Sequence, residues 1–412
     1  MIPRIPRFMR PFYGWWIVLA AMAVTFAAGP GQSFMFTVFI DPIIEDTGYS
    51  RTTVSSIYAA GTVVSALAVM IVSRLSDRHG PRAMLLIIGT VFGLACIALS
   101  FSTGMIAMAV ALALLRGLGQ GAMPVNGSLM VSQWFIARRG RAMAIMGLGG
   151  AITIAVMPNL GQFLIGLFEW RGAYFVLGLM VWAIVLPLGV FVVRNKPEDI
   201  GLLPDGADEL PEDEVRRIKR AQSGEKRSVL TSLSFWKLAL PMAIPALVDT
   251  ALVFHQVALF ERQGLSAEVA ARVFVPFAIA SALSGLLAGF VVDRIGPTPL
   301  FVANVGIFIA AVLMLQVAST SFLAVLYAIV LGSAMGVQQI GVRYTWPYYY
   351  GRQGLGQVQG SAMMILISAT AIGPLLFASV AESISYGIAF GGMLVLLALA
   401  AIMRLALRVQ PA

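Results

Sequence analysis

Asp77-Arg78-His79-Gly80-Pro81 and Asp293-Arg294-Ile295-Gly296-Pro297 decide how this chain is read. They stand just over half of its 412 residues apart, each a short polar turn between two long apolar runs. Glycine supplies a backbone angle that other residues resist, and proline restarts the next helix with its fixed φ. The arginine can face phospholipid headgroups, and the aspartate can cap a helix terminus or pair with a base. Two copies in matching places indicate an internal repeat.

The runs around these turns place the chain in a bilayer. Hydrophobic residues make up 59% and charged residues 11% of the sequence, against about 25% charged in a water-soluble domain. The single cysteine, Cys96, excludes a disulfide framework and any cysteine-rich metal site, so no metal or other cofactor is expected. The net charge of +9 could point to nucleic acid, but the bases flank apolar runs instead of forming one stripe. In a membrane protein that pattern reports orientation, and no nucleic-acid partner is expected. The basic start leads into an apolar run too long for a cleaved signal peptide and without a small-x-small site.

A helix needs roughly 20 apolar residues to cross the hydrocarbon core. Spans are expected near 13–40, 52–73, 83–102, 105–133, 142–166 and 172–193, then 236–260, 269–292, 299–318, 321–348, 356–381 and 386–407. That gives a first six-helix bundle over 1–193, a cytoplasmic linker over 194–234 and a second bundle over 235–412. Within the linker, 211–220 runs from acids to bases, as a short surface helix would; it reads as plain linker, with a regulatory or lipid-binding segment as the alternative. Most of the 28 Lys and Arg residues fall on one side if both termini are cytoplasmic. Arg51, Arg171, Arg262 and Arg272 fall outside, and Arg116 and Arg343 fall inside spans. Gly117/Gly121 in the fourth span answers Gly332/Gly336 in the tenth, both spaced to let helix backbones approach closely.

At these residues the chain resembles the major facilitator superfamily. The loop pattern G-x-x-x-D-R-x-G is complete at Gly289–Gly296 and departs once in the first half, with Ser73 for glycine. Arg116-Gly117-Leu118-Gly119-Gln120-Gly121 resembles the R-x-x-x-G motif of that family's fourth helix. Tyr13-Gly14-Trp15-Trp16, Trp134-Phe135, Trp170-Arg171-Gly172-Ala173-Tyr174, the 194–201 stretch RNKPEDIG and the 350–356 stretch YGRQGLG are similar to bacterial relatives of monocarboxylate transporters and oxalate/formate antiporters. Two departures stand out. Gly285 lies where that branch often carries an arginine linked to carboxylate binding, and Pro124 lies about where relatives place a tyrosine. The resemblance implies an all-α integral membrane protein of twelve transmembrane helices in two pseudo-symmetric six-helix bundles. Substrate would sit near the midplane between the halves. It also implies that Asp77, Arg78, Gly80, Asp293, Arg294 and Gly296 form a gating motif.

An ionisable group at a helix centre costs about 2.5–3.5 kcal/mol on insertion scales, so each one here is informative. Arg116, with Gln120, Met123 and Gly127 at helical spacing, is an anion contact, a neighbour tuning a proton site, or a motif arginine tying helices through backbone carbonyls. Asp249, midway along the seventh span with Gln256 on its stripe, is a candidate proton site or half of a fixed ion pair. His255 falls in a seventh-helix pattern similar to the bacterial branch and suits proton coupling, or is simply a satisfied polar residue. Arg343 shares a stripe with Gln339 and Trp346; its guanidinium suits a carboxylate, a gating pair or snorkelling. Asp41, at the end of the first span, is a possible relay or a polar helix end. Gln32, Phe36 and Asn126 are candidate cavity-lining residues, and Trp346–Tyr350 reads as an interfacial aromatic belt.

The expected function is secondary active transport of a small, monocarboxylate-like organic anion across a bacterial inner membrane. It would work by alternating access with proton symport or antiport, as a monomer. The alternative is proton-driven export of an amphipathic drug or natural product, which Gly285 and the Met-rich spans favour. No convergent nucleophile, base or metal set supports an enzyme.

Overall fold

The computed structural model describes residues 12–209, 229–266, 269, 272–407 and 409. The basic start and the expected surface helix at 211–220 lie outside the described residues. Regular structure among them is entirely helical. Contacts divide the chain into two compact units, Met1–Gln222 with Arg352–Gly356, and Ser223–Gly351 with Gln357–Ala412.

The first unit contains α1 (Gly14–Ala27), α2 (Ser33–Thr47), α3 (Arg51–Ser100), α4 (Met105–Leu115), α5 (Met123–Trp134) and α6 (Arg139–Pro187). The second contains α7 (Leu233–Arg262), α8 (Phe274–Ile295), α9 (Pro297–Leu315), α10 (Ser321–Tyr350), α11 (Leu355–Ser383) and α12 (Tyr386–Ala406). Among the described residues nine helices are long and apolar enough to cross a membrane. Two of the nine are helix pairs run together through a one-residue break, at Gly80 (φ 81°, ψ 154°) in α3 and at Glu169 (φ 58°, ψ 176°) in α6. Dividing them there, and adding the interrupted span α1–α2, gives the twelve expected crossings. Side chains such as Ile106, Phe191 and Leu375 stay exposed on the outer faces, as lipid contact requires.

The repeated turns are tighter than the sequence suggests. Helix continues through His79, and the whole change of direction falls on Gly80, just as α8 ends at Gly296 (φ 77°, ψ 175°) before Pro297. A positive φ of this kind is open to glycine and strained for other residues. The backbone N–H of Arg82, orphaned by the break, donates to Asn195 Oδ1 at 2.9 Å. The Arg82 side chain donates to the carbonyls of Gly189 and Val190. Asn126 Nδ2 donates to the Pro81 carbonyl at 3.0 Å.

Two other expectations are corrected. The first span is not continuous over 13–40: Gly29-Pro30-Gly31 forms a 3-10 turn, because proline brings no N–H and glycine little helical preference. The second half then runs on to Thr47 and stops at Gly48 (φ 68°), so Asp41 lies within α2 and not at its end. The start of the central stretch is also more than connection. Asp205 accepts the backbone N–H groups of Ile136, Ala137 and Arg138 at 2.8, 2.8 and 3.1 Å, fixing the turn that leads into α6. Its own φ is +58°, a strained angle held by three hydrogen bonds.

In the second unit α8 and α10 meet at glycines. A Cβ on Gly332 would stand 2.2 Å from the Phe277 carbonyl, and one on Gly336 2.1 Å from that of Ser281. Trp346 and Tyr349 are buried in this unit, Trp346 against Phe235, so the aromatic cluster packs inward instead of forming an interfacial belt.

Candidate functional site

In the first unit the candidate site forms where two helices lose their regular pitch. Arg116–Ala122, between α4 and α5, is a π-helical turn, and it packs on the 3-10 turn Gly29–Gly31. Single π turns inside α-helices occur often at functional sites. Glycine permits the approach: a Cβ on Gly31 would stand 2.3 Å from the Leu115 carbonyl, and one on Gly119 2.8 Å from Gly31 Cα. The wider π turn also shifts register, so the expected face Arg116–Gln120–Met123–Gly127 is not a straight stripe.

Three predicted residues converge at this junction. Arg116, 3% exposed, donates to the Gly31 carbonyl at 2.9 Å and lies over the Tyr58 ring at 4.6 Å. Gln32 Nε2 donates to the Gly119 carbonyl at 3.1 Å. Phe36 stacks on Tyr58 with centroids 4.2 Å apart and planes 14° apart. Tyr174, packed on Phe39, and Gln120 each add a buried oxygen without a hydrogen-bond partner. Arg116 therefore does tie helices through a backbone carbonyl, one of the roles expected of it. Asn126 lies apart from this group, with its amide on the break at Pro81.

In the second unit the predicted residues lie on two helices. Asp249 Oδ1 on α7 is buried with no hydrogen-bond partner, and among the described residues Asp249 forms no ion pair. Arg343 NH1 on α10 is likewise buried without a hydrogen-bond partner among the described residues. Neither is matched by the other, so the fixed ion pair considered for Asp249 is absent among the described residues. His255 Nε2 lies 3.1 Å from the Pro374 carbonyl of α11; a carbonyl only accepts, so this nitrogen carries the proton. Gln256 is buried on α7, and Gln339 is half-buried on α10, one turn before Arg343.

The gating residues differ in use. Asp77 Oδ1 accepts the Gly356 N–H at 2.6 Å, within the first unit, to which Arg352–Gly356 belongs. Arg78 and Arg294 are exposed, and Asp293 is half-buried. Sequence reasoning missed the residues around Asp77. Arg352, 6% exposed, pairs with Glu198 at 2.8 Å and donates to the Gln133 carbonyl, while Gln133 Nε2 donates to the Arg352 carbonyl. Both charges stood in stretches already singled out, RNKPEDIG and YGRQGLG, but 154 residues separate them. Arg171 was also underread: it pairs with Asp46 at 2.9 Å and donates to the carbonyls of Ser100 and Ser102, joining α2, α3 and α6.

Buried ionisable groups in many apolar spans define a multi-pass helical membrane protein with polar work inside its bundles. The chain belongs to the Major Facilitator Superfamily, whose family model matches residues 20–364. It is 28% identical over 174 residues to monocarboxylate transporter 1 of Homo sapiens, covering 40% of this chain and 33% of that protein. It is 25% identical over 305 residues to the 4-hydroxybenzoate transporter PcaK of Pseudomonas aeruginosa, covering 69% and 67%. The match spans about a third of the length of the first curated relatives. The fold is similar to the proton:xylose symporter XylE, with a TM-score of 0.77 at 12% identity over 96% of this chain and 95% of that one.

Proposed function

We propose that this protein is a secondary active transporter that moves a small organic anion by alternating access, coupled to protons, in a bacterial inner membrane with both termini cytoplasmic. The observation that carries the anion reading is Arg343, whose NH1 is buried inside a span with no hydrogen-bond partner among the described residues. Guanidinium binds a carboxylate through two parallel hydrogen bonds, and an unmatched one in an apolar span is costly without a ligand. The named substrates of the two curated relatives, a monocarboxylate and 4-hydroxybenzoate, support the same class. Arg343 thus takes the part that Gly285 leaves open.

Asp249 is the proposed proton site, since a buried carboxylate without an ion pair can gain and lose a proton as a substrate anion comes and goes. His255, donating to Pro374, ties α7 to α11 and can relay a proton through its other nitrogen. Arg116, Gln32 and Phe36 hold the first unit's irregular junction; Gln120, Asn126, Gln256, Gln339 and Asp41 are secondary. The Asp77–Gly356 and Arg352–Glu198 contacts are proposed to break and reform in the cycle. The working unit is proposed to be a monomer.

The test is thermal unfolding of purified protein against paired carboxylates and neutral compounds of similar size. A ligand that binds only the folded state raises the melting temperature with concentration. Stabilisation by acids, lost in Arg343→Ala, is expected. Stabilisation by neutral amphipathic compounds alone would replace this reading with export of such compounds.

A further inference from the structure

The second unit contains a small cavity, about 20 Å³, between α7, α9 and α10. Met242, Leu300, Asn304, Gln338, Gly341 and Thr345 line it. It lies on another face of α10 from the proposed anion contact: at 3.6 residues per turn, Gln338, Gly341 and Thr345 stand about a third of a turn from Gln339, Arg343 and Trp346.

Its two side-chain amides each leave an acceptor unmet. Asn304 is 2% exposed, and its Oδ1 and Gln338 Oε1 are both buried without a hydrogen-bond partner among the described residues. The Thr345 hydroxyl donates to the Gly341 carbonyl at 2.7 Å, so its oxygen also turns lone pairs outward. A buried acceptor without a donor is destabilising, and in a span lipid supplies none. A water molecule needs about 10–15 Å³ of such space and two to four polar partners. The cavity meets both requirements. Gly341 leaves the room, since the nearest atom to an added Cβ would be Leu300 Cδ2 at 4.0 Å.

We propose that this cavity is a water-binding site, in which one water donates its two hydrogens to Asn304 Oδ1 and Gln338 Oε1 and bridges α9 to α10. The lining contains no carboxylate, so it lacks the charge that a cation site normally draws on.

Gly341→Ala tests the proposal by the sign of its effect. Alanine is the better helix former and its methyl fits without a clash, so in a dry cavity the melting temperature rises. In a water-filled one the methyl displaces the water and strands two acceptors, so the melting temperature falls. Adding Asn304→Leu and Gln338→Leu to that variant removes the stranded groups, and recovery of the lost degrees is expected. A high-resolution map of the unaltered protein gives a second readout that needs no variant. One density peak within hydrogen-bond distance of both oxygens is expected. A rise for Gly341→Ala, a direct amide–amide bond with no peak, or a melting temperature that climbs with sodium against choline would each overturn the water site.

Discussion

Arg116 and Arg343 are the same residue type inside a span, used in different ways. Arg116 is engaged with the Gly31 carbonyl and the Tyr58 ring, whereas Arg343 keeps a buried NH1 unmatched. Arg116→Lys loses the planar fork and is expected to destabilise the unliganded protein by about 1.5–3 kcal/mol, the range for hydrogen bonds of charged groups, seen as a lower melting temperature. Arg343→Lys is expected to leave the unliganded melting temperature near that of the unaltered protein and to remove stabilisation by acids. Asp249→Asn is expected to abolish uptake driven by an imposed pH gradient while sparing substrate exchange at equal pH; gradient-driven uptake at the original rate would remove Asp249 from coupling. That these charges lie inside spans was legible in the sequence, because few charges interrupt the apolar runs. Their partners were not: Gly31 stands 85 residues from Arg116, and a backbone carbonyl has no sequence signature.

At the scale of elements, twelve spans were legible to within a few residues because apolar length is a direct demand of the bilayer. The irregularities inside them were only half legible. Gly29-Pro30-Gly31 was in plain view within an apolar run that reads as one helix, and the π turn at Arg116–Ala122 depends on the turn packed against it. Glycine contacts give a graded test. Gly336→Ala places a Cβ 2.1 Å from a backbone oxygen, while Gly285→Ala meets its nearest atom at 3.4 Å. Expression and thermal unfolding should show severe loss for the first and a mild effect for the second. Asp205→Ala removes three hydrogen bonds from a carboxylate to the turn before α6 and should lower stability by about 1.5–3 kcal/mol, with hydrogen exchange rising first at Ile136–Arg138.

At the scale of the molecule, the repeat was legible in two short turns, and their geometry agrees: Gly80 and Gly296 both take a positive φ, 81° and 77°. The sequence pointed to Asp77 and left out what it binds, because Gly356 contributes only an N–H, 279 residues away. Arg352→Ala combined with Asp77→Asn should raise hydrogen exchange across residues 352–356, and unchanged protection there would show that other contacts hold the segment. The central claim is proton-coupled movement of an organic anion through Arg343. Its most direct test is uptake of a labelled monocarboxylate into liposomes carrying the purified protein, under an inward proton gradient, beside Arg343→Ala. Gradient-dependent uptake by the unaltered protein and none by the variant is the predicted result. Equal uptake by both, or movement of neutral amphipathic compounds but of no acid, would contradict it.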